Sequence, residues 1–404
     1  MLRATKVRVY PTPDQEAFLT RQFGAVRFVW NKALAVMGHR YRVHGESLSA
    51  KHDMKPLLAV AKRSRRYGWL KEPDSMALQQ ALLNLDAAFQ RFFEGKARYP
   101  RFKTRHGRQS SYHCTGRTGV VEDGIEVPKI PGEIRAKLHR SVEGEVKSIT
   151  LSRSVTGKYY ASILVEDGRA VPPKPTVVEA DAVLGVDLGL TAFAVDSRGR
   201  KVANPRHLER ALGNLGRKQR KLSRTRRGSR RRAKARLKVA GAHERVRNAR
   251  ADFLHQLSRS MVDESQAIVL EDLGVRGMMK RRSLSRAIGQ AGWYELRRMV
   301  AYKAEEAGVH VVIADRFEPS SKTCHACGEV NGDLALSDRI WQCPNCRVEH
   351  DRDLNAALNL KRIGILELKA SGLRVSARGG TVRPSSPGGH EPMNRENLTP
   401  HQAA

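Results

Sequence analysis

Along this chain the spacing of apolar positions changes several times, and each change marks an element. Thr5 to Tyr10 alternates polar and apolar residues like a strand. Thr12-Pro13-Asp14-Gln15 follows, with an N-cap residue, a proline at the first helical position and a glutamine at the third, so a helix should start there. From Glu16 to Phe93 the period is mostly helical. Leu78, Ala81, Leu82, Leu85, Ala88, Phe89 and Phe92 recur at helical spacing and predict a helical insert with a buried stripe. The next region opens with Tyr99-Pro-Arg-Phe-Lys103 and carries short β-rich segments, Val146 to Ser152 and Tyr159 to Val165, bounded by glycine and charged turns. These predict a small β-barrel that the first strand returns to complete.

Val171-Pro-Pro-Lys-Pro175 is a proline-rich linker, and the apolar run Ala182 to Asp187 behind it places the main domain boundary there. Ala192 to Asp196 and Lys201 to Val202 suggest a hairpin about Ser197-Arg198-Gly199. Ala267 to Leu270 and His310 to Ala314 read as further strands, separated by helical patterns, so a mixed α/β sheet is expected. After Gly364 the chain turns to Ser, Gly, Pro and Arg with little apolar content, which predicts disorder. The expected architecture is therefore multidomain, α/β and α+β: a first barrel strand in 1–13, a helical domain in 14–95, the rest of the barrel and the linker in 96–175, an α/β domain in 176–318, a cysteine-rich module in 319–349, a closing helix in 350–364 and a tail in 365–404.

Charge narrows the partners. Across 404 residues, 74 Lys and Arg face 41 Asp and Glu, a formal net charge of +33, far beyond what solubility requires and suited to a polyanion. There is no apolar run of membrane-spanning length, and the basic runs lack an interleaved Trp, Phe and Leu face, so nucleic acid is favoured over a membrane surface. Met1 to Tyr10 has no apolar core preceding a small-residue cleavage site, which predicts a cytoplasmic, nucleoid-associated protein. Arg217 to Arg250, with Glu244 its only acid, reads as a solvated helix, a disordered arm or a nucleic-acid cradle. Arg217, Arg220, Arg224 and Arg231 within it are candidate contacts. So are Arg101 and Lys103, with Trp30, Tyr99 and Phe102 as candidate stacking surfaces.

Four of five cysteines fall in two pairs, Cys324-His-Ala-Cys327 and Cys343-Pro-Asn-Cys346, separated by fifteen residues. Two such knuckles converge on one tetrahedral Zn²⁺, and four sulfurs leave no open position, so this metal should stabilise the fold rather than activate water. His325 and His350 read as neighbours of the site, and Cys114 as an ordinary thiol.

Three acids carry the candidate chemistry. Asp187 ends the apolar strand Val183 to Val186, within Gly185-Val-Asp-Leu-Gly189, whose glycines are expected to let the backbone turn. Glu271 follows the strand Ala267 to Leu270, and Asp353 opens an apolar helix through Leu354, Ala357, Leu358 and Ile363. Singly, each is accounted for by a turn or a helix cap. Together, two strand-end acids and one helix-start acid are the parts of an RNase H-like carboxylate cluster, stable only when divalent cations neutralise it. Two Mg²⁺ ions about 4 Å apart would then activate water and stabilise the leaving 3′ oxygen in phosphodiester hydrolysis. Asp272 and Asp351 are alternatives to their neighbours; expected phasing favours Glu271 and Asp353.

At these motifs the chain resembles the TnpB (OrfB) proteins of bacterial insertion sequences, RNA-guided DNA endonucleases related to type V CRISPR effectors. The resemblance is carried by Thr5 to Pro13, Ala25 to Lys32, Tyr99 to Lys103, Gly185 to Gly189, Leu270 to Leu273, Ser320 to Gly328 and Asp351 to Ala357. It implies a RuvC triad of Asp187, Glu271 and Asp353 holding Mg²⁺, and zinc on Cys324, Cys327, Cys343 and Cys346. It further implies wedge and recognition modules in the N-terminal barrel and helical insert, gripping a guide RNA from the element's end and a short motif beside a double-stranded DNA target. A monomer is expected. Arg347 departs from the family, which usually has glycine after the fourth cysteine. Alternatives are a nuclease-inactive RNA-guided regulator and an RNA-independent transposase.

Overall fold

The computed structural model describes residues 1–105, 109–335 and 337–376, which divide into two compact units, Met1–Ala170 and Val171 onward.

In the first unit, strand β1 (Leu2–Tyr10) leads into helix α1 (Pro13–His44). The expected capping box is present: Thr12 Oγ1 accepts from the Gln15 N–H at 3.4 Å while the Thr12 N–H donates to Gln15 Oε1 at 3.0 Å. A π-helical turn at Ala50–Met54, helix α2 (Lys55–Arg63) and helix α3 (Ser75–Phe93) complete the insert. On α3, Leu78, Ala81, Leu82 and Leu85 are buried as the stripe predicts, and the Asp74 carboxylate caps the helix through the N–H groups of Met76 and Ala77.

The strands β2 (Gln109–Cys114), β3 (Gly119–Val121), β4 (Gly124–Glu126), β5 (Ile134–Lys137), β6 (Glu145–Ser154) and β7 (Tyr159–Glu166) join β1 in one sheet of order β2-β6-β7-β1-β5-β4-β3. The first strand does return, but to the interior: it pairs antiparallel with β7 from Leu2↔Glu166 to Val9↔Tyr159 and with β5 at Arg8↔Lys137. Among the described residues the hydrogen-bonded order ends at β2 and β3 instead of closing as the expected barrel. Tyr99 to Lys103 forms no strand.

In the second unit the chain runs through β8 (Val177–Glu179), β9 (Val183–Leu188), β10 (Ala192–Asp196) and β11 (Lys201–Ala203), then helices α4 (His207–Ser223) and α5 (Arg230–Asp263). Strand β12 (Ala267–Glu271), helices α6 (Val275–Met278), α7 (Arg282–Ala291) and α8 (Trp293–Ala307) and strand β13 (His310–Ala314) follow. The chain closes with β14 (Ile340–Gln342), β15 (Glu349–Asp351), α9 (Arg352–Ala370) and β16 (Arg374–Ser376). The main sheet has the order β11-β10-β9-β12-β13, with β9–β10–β11 antiparallel and β9–β12–β13 parallel. The predicted hairpin and mixed sheet are both present.

Both faces of this sheet are covered, which explains why its strands read as continuous apolar runs. Leu184 and Val186 of β9, with Ile268 and Leu270 of β12, pack against Leu254 and Met261 of α5 and Leu296 and Val300 of α8. Val183, Ala267 and Val269 face the other way, onto Leu360 and Leu368 of α9.

Two expectations are corrected here. The expected tail does not begin at 365, because α9 continues to Ala370 and β16 pairs in parallel with β8 from Arg374↔Val177 to Ser376↔Glu179. The remainder of that tail, from 377 on, lies outside the described residues. Arg217 to Arg250 is no disordered arm: α4 and α5 pack together, and Arg232 Nη1 ties their connection by donating to Leu222 O (3.1 Å) and Thr225 O (2.8 Å).

Candidate active site and metal centre

Strand periodicity places the acids. Side chains two apart share a face, so Asp187 follows Val183 and Gly185 and Glu271 follows Ala267 and Val269, all toward α9. The parallel register pairs Leu270 with Val186, making Glu271 and Asp187 the next residue on each strand. Helix α9 begins over this corner, with Asp351 as its N-cap, accepting from the Asp353 and Leu354 N–H groups, and Asp353 in its first turn.

Close approach of α9 is what glycine permits here. A Cβ on Gly185 would lie 2.1 Å from Ala357 O and 2.5 Å from Lys361 N, and one on Gly364 would lie 2.1 Å from Val269 Cγ2. Gly185 therefore serves helix–sheet packing, not the backbone turn expected from its position beside Asp187. Gly364, read as the end of the helix, is a crossing point in its interior.

The electrostatics separate the acids into two kinds. Asp187 is half-buried, and desolvation, reinforced by the nearby Asp353 and Glu271 carboxylates, raises its pKa to about 7, with Arg352 and Arg339 opposing the rise. Burial, then the adjacent Asp272, also raises Glu271. Asp272 points to the opposite face of the sheet, where Arg297 Nη1 and Arg316 Nη2 each hold one of its oxygens at 2.5 Å and keep its pKa low. Burial would raise Asp351, but the 2.6 Å bond from Lys201 Nζ and the helix N–H groups outweigh it. The two alternatives are each held by basic side chains, whereas Asp187 and Glu271 face α9, with Asp353 in its first turn. Asp353 Oδ1 has Arg339 Nη1 at 3.2 Å.

The four cysteines are, among the described residues, the one group of three or more His, Cys, Asp or Glu side chains close enough to share an ion, all four sulfurs lying within 4.8 Å. Cys324 Sγ is 3.6 Å from Cys346 Sγ, and Cys327 Sγ is 3.6 Å from Cys343 Sγ. A tetrahedron with zinc–sulfur bonds of about 2.3 Å has edges of about 3.8 Å, so the spacing fits one Zn²⁺. The knuckles repeat each other: the Gly328 N–H donates to Cys324 O and the Arg347 N–H to Cys343 O, with φ of 82° and 56°. Arg347 thus occupies the left-handed conformation that glycine fills in the first knuckle. His350, buried, lies with Nε2 3.0 Å from Cys324 Sγ, and His325 bonds Asn355, so both are neighbours of the sulfurs as expected.

Sequence reasoning missed the residues that fasten this module to α9. Asn355 and Asn359, each 1% exposed, both donate to Ser320 O and Thr323 O. The signal was present as two asparagines four apart, and so on one face of the helix. Arg352 and Arg339, flanking the acids, were also missed. Arg352 is buried and donates to Ala335 O.

The candidate nucleic-acid contacts divide. Arg217, Arg220, Arg224 and Arg231 are exposed along α4 and α5. Tyr99 and Phe102 are exposed at 48% and 60%. Trp30 is 7% exposed, its Nε1 donates to Arg101 O, and Lys103 Nζ covers its ring at 3.8 Å, so it is no stacking surface. Asn31 holds Lys103 through two backbone bonds. No helix among the described residues is long and apolar enough to cross a membrane.

Comparison with known proteins agrees along the chain. Residues 162–282 match the OrfB family of IS605 elements, described as "Probable transposase", residues 293–360 match the Cas12f1-like TNB domain, and residues 1–46 match the OrfB helix-turn-helix domain. A protein of Streptomyces pristinaespiralis named as an RNA-guided DNA endonuclease is 40% identical over 95% of this chain and 92% of its own. The similarly named InsQ of Escherichia coli K12 is 31% identical over 93% and 96%. Among solved structures, the Cas12f1 protein of a Cas12f1–sgRNA–target DNA complex shares the fold at a TM-score of 0.53 and 12% identity, covering 89% of this chain and 98% of that one. The chain belongs to the TnpB (OrfB) family of insertion-sequence-encoded proteins.

Proposed function

We propose that this protein is an RNA-guided, Mg²⁺-dependent DNA endonuclease of a transposable element, cutting DNA complementary to a guide RNA beside a short flanking motif. The observation that carries the reading is that Asp187 and Glu271 end adjacent parallel strands beneath the start of α9, where burial and the charges of Asp353 and Glu271 raise the Asp187 pKa. This arrangement supports an RNase H-like, RuvC-type site in the second unit, with the first unit as wedge and recognition modules. The names of the relatives and a charge suited to a guide RNA and a displaced strand support the partners.

Bound Mg²⁺ would supply the positive charge that lets the acids ionise together and that activates water against the phosphodiester. The chain's own part is to keep the acids on rigid elements and partly desolvated, Asp187 and Glu271 on adjacent parallel strands and Asp353 on the helix that crosses them. Zinc in the cysteine cluster would be structural, fixing the segment that presents Arg339 to Asp353. Arg217, Arg220, Arg224 and Arg231, with Arg101, Lys103, Tyr99 and Phe102, are proposed to grip nucleic acid, in a protein acting as a monomer.

The test is to purify the protein with its flanking element transcript, supply a guide-matched target beside randomised sequence, and compare wild type with Asp187→Ala in Mg²⁺. Guide-dependent cuts that disappear in the variant are expected. Binding without cuts by either protein would favour an inactive regulator, and guide-independent cuts would favour a transposase.

A further inference from the structure

At the end of β12 that carries Glu271, bordered by residues of α6, α7 and α8, lies a cleft of about 1190 Å³. Five arginines and two acidic residues, Glu271 and Asp272, line it. Asp272 is fully engaged: one oxygen takes Arg297 Nη1, the other takes Arg316 Nη2, and its carbonyl takes Arg316 Nε at 3.1 Å. Those bonds leave Arg316 Nη1 and the second terminal nitrogen of Arg297 for another acceptor, and both side chains remain about half exposed, at 51% and 40%. Next along the chain, the Phe317 N–H donates to Asp315 Oδ1 at 2.8 Å, a turn that presents the Phe317 ring to solvent at 87% exposure. Tyr294, on the same cleft, is 72% exposed. Two fixed guanidiniums beside two bare aromatic rings match the alternating chemistry of a single nucleic-acid strand, phosphate then base.

The geometry points to Asp272 as a positioning residue that holds Arg297 and Arg316 as a fork for a backbone phosphate, with Phe317 and Tyr294 stacking bases of the same single DNA strand as it approaches Glu271. The inference rests on the nuclease reading above and adds to it the residues that would feed a strand to the acids. Asp272 does not touch substrate; its carboxylate orients the two arginines, which is why an acid sits where the charge of the ligand would otherwise disfavour one.

Two measurements on the full-length, guide-loaded protein test it. In steady-state cleavage of a single-stranded DNA substrate, Phe317→Ala and Tyr294→Ala should each raise KM about tenfold, the order expected when one base no longer stacks, with kcat and equilibrium binding of guide and target retained. Asp272→Asn should raise KM and flatten its salt dependence by about 0.7 in log–log slope for each phosphate that the arginines no longer neutralise, and Asp272→Glu should restore much of both. A purely structural role for Asp272 would lower the melting temperature without that change in slope. In the second measurement, an oligodeoxynucleotide carrying 5-iododeoxyuridine is photocrosslinked to the Asp187→Ala protein at moderate salt, and peptides containing Phe317 or Tyr294 should carry the adduct. Unchanged KM in all variants, or adducts mapping only outside this cleft, would overturn the inference. A wild type that does not cut the single strand leaves the crosslink to decide this inference, and one that also fails to cut guide-matched duplex would count against the nuclease reading alone.

Discussion

Replacing Asp187 by asparagine should stabilise the protein above neutral pH when no divalent cation is added. Folded Asp187 titrates at about 7 against 3.8 for an ordinary aspartate, held up by desolvation and by Asp353 and Glu271. Between those values the folded chain keeps a proton that the unfolded chain has released, so stability falls as pH rises through that window. Three pH units at about 1.4 kcal/mol each set a ceiling of roughly 4 kcal/mol. Half-burial and solvent screening reduce the expected gain to about 2 kcal/mol at pH 8 and to under about 1 kcal/mol at pH 5. Asparagine keeps the shape and removes the titration. The assay is urea unfolding of wild type and Asp187→Asn at both pH values without chelator, so that the cysteine cluster is undisturbed, repeated with millimolar Mg²⁺. The cation should stabilise wild type at pH 8 and leave the variant nearly unchanged, reversing their order. A variant equally or less stable than wild type at pH 8 without Mg²⁺ would refute the claim that these acids repel one another in a shared, desolvated site.

Three further outcomes follow from the packing and the cysteine cluster. Gly185→Ala should cost about 3 kcal/mol or more in denaturant unfolding and abolish cleavage, because the new methyl meets α9 backbone atoms at 2.1 and 2.5 Å that cannot rotate away. Elemental analysis should find one zinc per chain in wild type, and Cys343→Ser, which removes a buried ligand, should lower that content well below one. Arg347→Gly should raise stability by about 1 kcal/mol, measured as a shift in melting temperature, since Arg347 holds a φ of 56° that costs any residue with a Cβ.

Local chemistry was enough wherever an element is decided by its own residues. Thr12 and Gln15 close a capping box within one turn, the α3 stripe follows from its period, and two pairs of cysteines converge because each knuckle is built from four consecutive residues. The strand-end acids were equally legible, since Asp187 and Glu271 each interrupt an apolar run. Which member of Glu271–Asp272 or Asp351–Asp353 joins the cluster was open, because a strand buried on both faces shows no polar alternation from which to read direction. Only the placement of α9 on one face and α8 on the other set Glu271 on the side of Asp187 and gave Asp272 to Arg297 and Arg316. The same distance in sequence hid the roles of the glycines: Gly185 answers to Ala357 and Lys361, and Gly364 to Val269. Trp30, more often a core residue than a stacking surface by its type, was decided by Arg101 and Lys103 closing over it. Sequence alone determined the capping box, the α3 stripe, the paired cysteines and the candidate acids, because those depend on neighbours along the chain. Tertiary structure decided which faces meet, because that depends on residues far apart in sequence whose pairing no local pattern encodes.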